Sequence, residues 1–112
     1  MPENVAIRLD ASVRGGLGHL RRCAVLARQL RMAGVTVSFL VRTDEIDVAG
    51  EVGDVADAIS IMPPGLVGLD DARATVEHCR TTGSTLLIVD HFAADDPYQR
   101  FLHAAGIPLR QF

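Results

Sequence analysis

Three runs in this chain, VAIRL at 5–9, VTVSFLV at 35–41 and TLLIV at 85–89, are short, apolar, rich in β-branched residues and closed by turn formers. That combination predicts buried parallel strands. AISIM at 58–62 and IPLRQF at 107–112 read as weaker members of the set. Helical patterns lie between them. Leu20, Cys23, Ala24, Ala27 and Leu30 recur at helical spacing, with Arg21, Arg22, Arg28 and Arg31 on other faces and Gly34 as a stop. A second helix is expected over 69–82, started by Asp70 and Asp71 and ended near Gly83. A third is expected from Asp96 as N-cap, with Pro97 at the first helical position, to about Ala105 before Gly106. The segment 44–57 carries Val48, Val52, Val55 and Ala56, but Gly50 and Gly53 weigh against a helix there, and 62–68 is a turn-rich connection.

Strands alternating with helices define an α/β expectation: a Rossmann-like parallel sheet of about five strands in order 3-2-1-4-5, flanked by helices and joined by right-handed crossovers. The 112 residues fit a single domain. In such a sheet a ligand sits outside the carboxyl ends of the strands where the winding reverses, here between the first and fourth strands. Asp10 with the glycine loop, and Asp90 with His91, arrive at that edge.

Composition narrows the chemistry. All 11 basic residues are arginine, which removes the phosphate-loop NTPase motif, Schiff-base chemistry and any lysine base within these residues. A formal net charge of −3 gives no general attraction to phosphate backbones, so the partner expected is a small molecule and not a nucleic acid. No run approaches the roughly 18 apolar residues of a membrane span. The start, MPENVAIRLD, has no basic region followed by an apolar stretch. The expected location is the cytoplasm, with no membrane partner. Cys23 and Cys79 lie on helix faces without metal-like or redox-like spacing and read as buried free thiols. No His, Cys, Asp and Glu group has ligand spacing, so neither metal nor cofactor is expected.

The stretch DASVRGGLGHLRRC, 10–23, concentrates the candidate chemistry. Gly15, Gly16 and Gly18 permit a sharp turn and close approach of backbone N–H groups to a ligand, and the following helix points its positive end there. An anion such as phosphate suits that geometry, and Arg21 and Arg22 in the first turn would be relieved by it or be solvated surface groups. A nicotinamide dinucleotide site is disfavoured, because Arg21 stands where G-x-G-x-x-G has its third glycine and the second strand ends in Arg42 rather than an acid. His19, at the helix start, is placed where the dipole disfavours imidazolium, as a general base requires, although a capping or packing role fits the same position. Asp90 can orient His19, bind a substrate hydroxyl or cap a turn; His91 can bind an anion or a sugar oxygen. His78 and His103 read as surface or satisfied core residues.

The pair of motifs D-A-S-x-x-x-G-x-G-H-x-x-R-C at 10–23 and V-D-H-F at 89–92 resembles the UDP-sugar hydrolases of pseudaminic acid biosynthesis and their spore-coat polysaccharide relatives, which have the two-domain GT-B architecture. The resemblance covers essentially the whole chain as an N-terminal half, with a nucleotide-binding C-terminal domain absent. It implies metal-independent hydrolysis of a UDP-linked 2,4-diacetamido-2,4,6-trideoxy sugar, with His19 as the base that activates water. Asp10, Ser12, Gly16, Gly18, Arg22, Asp90 and His91 would line the sugar and diphosphate pocket. Phe92 stands where the family commonly has tyrosine, and Gly15 where an aliphatic residue is usual. A GT-B glycosyltransferase domain and a non-catalytic sugar- or nucleotide-binding module are the alternatives.

Overall fold

A computed structural model of the protein describes residues 3–12, 17–43, 46–90 and 95–112. Strands β1 (Asn4–Asp10), β2 (Thr36–Arg42), β3 (Ala58–Met62), β4 (Leu86–Asp90) and β5 (Leu109–Gln111) alternate with helices α1 (Leu17–Met32), α2 (Val48–Val52), α3 (Gly68–Thr82) and α4 (Asp96–Ala104). The strands form one five-stranded sheet in the order β3-β2-β1-β4-β5, and every pairing is parallel. The fold is Rossmann-like α/β, as the alternation of runs predicts.

Both faces of the sheet are covered, which is why its inner strands lack a polar face. On one face Val5, Ile7 and Leu9 of β1 and Val37, Phe39 and Val41 of β2 meet Leu20, Cys23 and Ala27 of α1 and Val48 and Val52 of α2. On the other, Ala6 of β1 and Leu87 and Val89 of β4 meet Ala72, Val76 and Cys79 of α3 and Tyr98 and Leu102 of α4. Successive residues of β1 therefore serve different layers.

Three boundaries differ from expectation for local reasons. The 44–57 segment does make a helix, but only the single turn α2, whose N-cap Asp47 accepts a hydrogen bond from Gly50 N at 3.0 Å. Helix α4 is capped by Asp95, not Asp96: the Asp95 carboxylate accepts from Tyr98 N at 3.1 Å, which places Pro97 second in the helix. Of the 107–112 run, only Leu109–Gln111 is strand. The end of α3 is as expected, with Gly83 left-handed at φ 70° as only glycine adopts readily. Among the described residues no helix is long and apolar enough to cross a membrane.

His78 of α3 is buried, and its ring nitrogens meet Ser38 Oγ of β2 at 2.9 Å and Ser60 Oγ of β3 at 3.2 Å. It is a satisfied core histidine. Burial lowers it from its ordinary value of 6.5, so the unfolded chain binds the extra proton first as pH falls. The stability held by neutral His78 is complete above that ordinary value and is lost progressively below it. Urea unfolding at pH 7.0 and 5.5 is expected to show a lower midpoint at the acidic pH, with the difference reduced in His78→Gln. An equal difference in both proteins contradicts the assignment.

Candidate functional site

The register of the sheet decides which candidates meet. β4 pairs with β1 so that Asp90 lies level with Leu9, and Leu9 belongs to the layer under α1. Asp90 therefore takes the α1 face. Asp10, one residue further along β1, takes the opposite face. The two carboxylates end adjacent strands at one edge but serve separate clusters.

The α1 cluster is built on a helical i, i+3, i+4 set, His19, Arg22 and Cys23, that faces Asp90. Arg22 Nη2 donates to Asp90 Oδ1 at 2.8 Å and Oδ2 at 2.9 Å. His19 Nδ1 lies 3.2 Å from Asp90 Oδ2, and the Cys23 thiol donates to the same oxygen at 3.5 Å. Arg22 Nη2 also lies 3.2 Å from His19 Nδ1, but that guanidinium nitrogen is already directed at both carboxylate oxygens. The distances admit either tautomer, and the one a general base requires is the Nδ1–H form, in which the ring donates to Asp90. It leaves Nε2 as an acceptor, without a hydrogen-bond partner among the described residues. Asp90 is 8% exposed, whereas the His19 side chain is half exposed, so a buried anion holds a ring that solvent reaches. Arg22 is held a second time, its guanidinium 5.1 Å from the centre of the Phe112 ring.

Asp10 enters a network that sequence reasoning missed. Arg8, fully buried in β1, donates from Nη1 to Asp10 at 2.9 Å and from Nε to Asp71 of α3 at 3.2 Å, and its Nη2 also pairs with Asp71. Arg42, ending β2, donates to Asp10 at 3.1 Å from Nε and 2.6 Å from Nη2, and to the Leu66 carbonyl at 2.8 Å. The Tyr98 hydroxyl of α4 donates to Asp71 at 2.8 Å, and Thr75 Oγ1 lies 2.7 Å from that hydroxyl. Burial alone would lower the Arg8 guanidinium, but the hydrogen bond and charge of Asp71, with the charge of Asp10, leave it raised and charged. Asp71, read from sequence only as a helix-starting acid, is thus a buried ion-pair partner. The available signal was Arg8 itself, a charge inside an apolar run, which requires a buried counter-charge.

Of the other candidates, Ser12 is exposed and Gly18 is the second residue of α1, with open space where a Cβ would stand. Arg21 pairs with Glu51 of α2 at 3.6 Å and belongs to the surface. Gly15, Gly16, His91 and Phe92 lie outside the described residues. Among the described residues no group of three His, Cys, Asp or Glu side chains is placed to hold a metal ion.

Both cysteines are buried free thiols. Cys23 is pushed up to about 12 by desolvation and then by the charge of Asp90, and Cys79 to about 11 by desolvation. Neither supplies a thiolate at neutral pH, so Cys23 is a hydrogen-bond donor and not a nucleophile.

These features define a Rossmann-like α/β domain with a half-exposed histidine at the switch-point edge. A solved structure with this architecture is the crystal structure of a glycosyltransferase from Rickettsia africae ESF-5, similar over 98% of this chain with a TM-score of 0.68 at 12% sequence identity. At that identity the likeness is one of fold. The chain spans 29% of the length of that glycosyltransferase. No protein-family profile and no curated protein matches the chain.

A thiol-reactive disulfide reagent at pH 8 is expected to titrate neither Cys23 nor Cys79 in the folded protein and both after unfolding. Fast reaction of one thiol in the native state contradicts the burial described.

Proposed function

We propose that this chain is a sugar-processing domain of the glycosyltransferase type, which activates an O–H nucleophile against a nucleotide-linked sugar, with His19 as the base. The observation that carries the reading is the His19–Asp90 contact, Nδ1 to Oδ2 at 3.2 Å: with the proton on Nδ1 the buried carboxylate accepts it, and Nε2, which has no hydrogen-bond partner among the described residues, is left as the base. In the reaction, Nε2 takes the proton of the acceptor hydroxyl while its oxygen bonds to the anomeric carbon. The bond from that carbon to the nucleotide diphosphate breaks, and its electron pair leaves with the diphosphate. Asp90 offsets the imidazolium charge as it forms. The fold likeness to a glycosyltransferase supports this class of reaction.

Diphosphate binding is assigned to the glycine loop, with Gly16 and Gly18, and to the amino end of α1, since the first-turn backbone N–H groups of a helix favour an anion. The bare, open Gly18 is consistent with close approach of a ligand. Ser12, Arg22 and His91 are assigned to the sugar and phosphate oxygens. Asp10 reaches substrate only through its exposed quarter, since Arg8 and Arg42 hold both its oxygens. A second, nucleotide-binding domain is part of the proposal, as is a cytoplasmic location, where nucleotide sugars are available.

A second reading places water as the nucleophile, giving hydrolysis of a UDP-linked diacetamido-trideoxy sugar. Its support is the pair of motifs at 10–23 and 89–92, because the histidine of the first and the aspartate of the second are the two residues in contact.

Turnover of UDP-N-acetylglucosamine, followed as UDP release by this chain or a longer protein that contains it, is expected to fall by roughly 10²- to 10⁴-fold in His19→Ala with the fold retained. Unchanged turnover rejects the base. The second product separates the readings: a new glycoside supports transfer, and free sugar supports hydrolysis.

A further inference from the structure

Seven of the ten arginines among the described residues are paired. Arg8, Arg21, Arg22, Arg28, Arg31, Arg42 and Arg73 each form an ion pair. Among the described residues, Arg80, Arg100 and Arg110 do not. Two of those three line one groove of about 720 Å³ between α4 and β5, together with His103, Ala104, Ile107 and Leu109.

The composition of this groove is uneven. Ile107 is buried and Leu109 half-buried, and both extend the apolar layer beneath α4, so the floor is hydrophobic. Arg100 and His103, three residues apart on α4, share one helix face, and Arg110 comes from β5. Among the described residues no carboxylate lines the groove, although the chain carries a net charge of −3. The carboxyl end of α4 suits a basic residue type in its last turn, where His103 stands. It does not account for Arg110, whose Nη1 is turned back onto the Leu109 carbonyl at 3.4 Å.

We infer that the α4–β5 groove is a binding site for a small amphipathic oxyanion, a phosphate monoester or carboxylate with an apolar body. Arg100 and Arg110 hold the head, since guanidinium matches the paired oxygens of either group. Ile107 and Leu109 cover the body. The three-residue β5 is too short to recruit a peptide as an added strand. The groove shares no residue with the His19–Asp90 cluster, so the inference stands apart from the proposed function.

The test is an amide-resolved NMR titration of the chain with phenyl phosphate, benzoate, inorganic phosphate and phenol. Phenyl phosphate or benzoate is expected to shift amides of 99–110 saturably, with affinity at least about tenfold above both inorganic phosphate and phenol. The tighter of the two anions identifies the head group. The double substitution Arg100→Glu with Arg110→Glu is expected to weaken that binding at least about tenfold while amides of 17–23 keep their positions. Arg100→Gln with Arg110→Gln gives the same loss by neutralisation and serves if charge reversal disturbs folding. Equal affinity for inorganic phosphate, shifts confined to 17–23, or binding indifferent to both double substitutions would each overturn the assignment.

Discussion

The two-residue alternation of β1 and β4, in the register that sets Leu9 beside Asp90, governs where every charged group at the carboxyl edge can go. A strand hydrogen-bonded on both sides and covered on both faces has no solvent to receive a polar side chain. Arg8 and Asp90 therefore need protein partners, and parity sends them to different layers. Arg8 finds Asp71 on α3; Asp90 finds Arg22, His19 and Cys23 on α1. A slip of one residue would place Asp90 among the apolar side chains under α3 and leave Arg22 without its counter-charge.

The two clusters differ in what they can do. The Arg8–Asp71 pair is closed to solvent: both side chains are essentially inaccessible, and Tyr98 and Thr75 complete the hydrogen bonding. A buried ion pair adds little net stability over an apolar pair, but loss of one partner costs about 3–5 kcal/mol. Its effect is to fix α3, α4 and the loop at Leu66 against β1 and β2. The Asp90 cluster is open on one side. A carboxylate that is itself buried, holding a ring that meets solvent, combines fixed orientation with access, as proton transfer requires.

Much of this was legible in the sequence. The strand order, the helices flanking the sheet and the buried thiols follow from apolar runs and helical periodicity, and the switch-point rule brings His19 and Asp90 to one edge, with their contact one of three roles open to Asp90. Separation of Asp10 from Asp90 was not legible, because it depends on register, and a chain read one strand at a time carries no register. The Arg8–Asp71 pair joins residues 63 positions apart, and Asp71 looked fully explained as a helix-starting acid. The α4 cap was misplaced by one residue because Asp95 and Asp96 are equivalent until Tyr98 N shows which carboxylate it meets. The α4–β5 groove is not legible in the sequence, because Arg100, His103 and Arg110 form no motif and converge only when β5 closes against α4.

The central claim is that Asp90 fixes the His19 ring through Nδ1–H and leaves Nε2 free. The direct measurement is the ¹⁵N spectrum of the imidazole rings at a pH where the ring is neutral, in the native chain and in Asp90→Asn. The account predicts that His19 is predominantly the Nδ1–H tautomer in the native protein and shifts toward the ordinary tautomer mixture in the variant. A native His19 carrying its proton on Nε2, unmoved by Asp90→Asn, would contradict it.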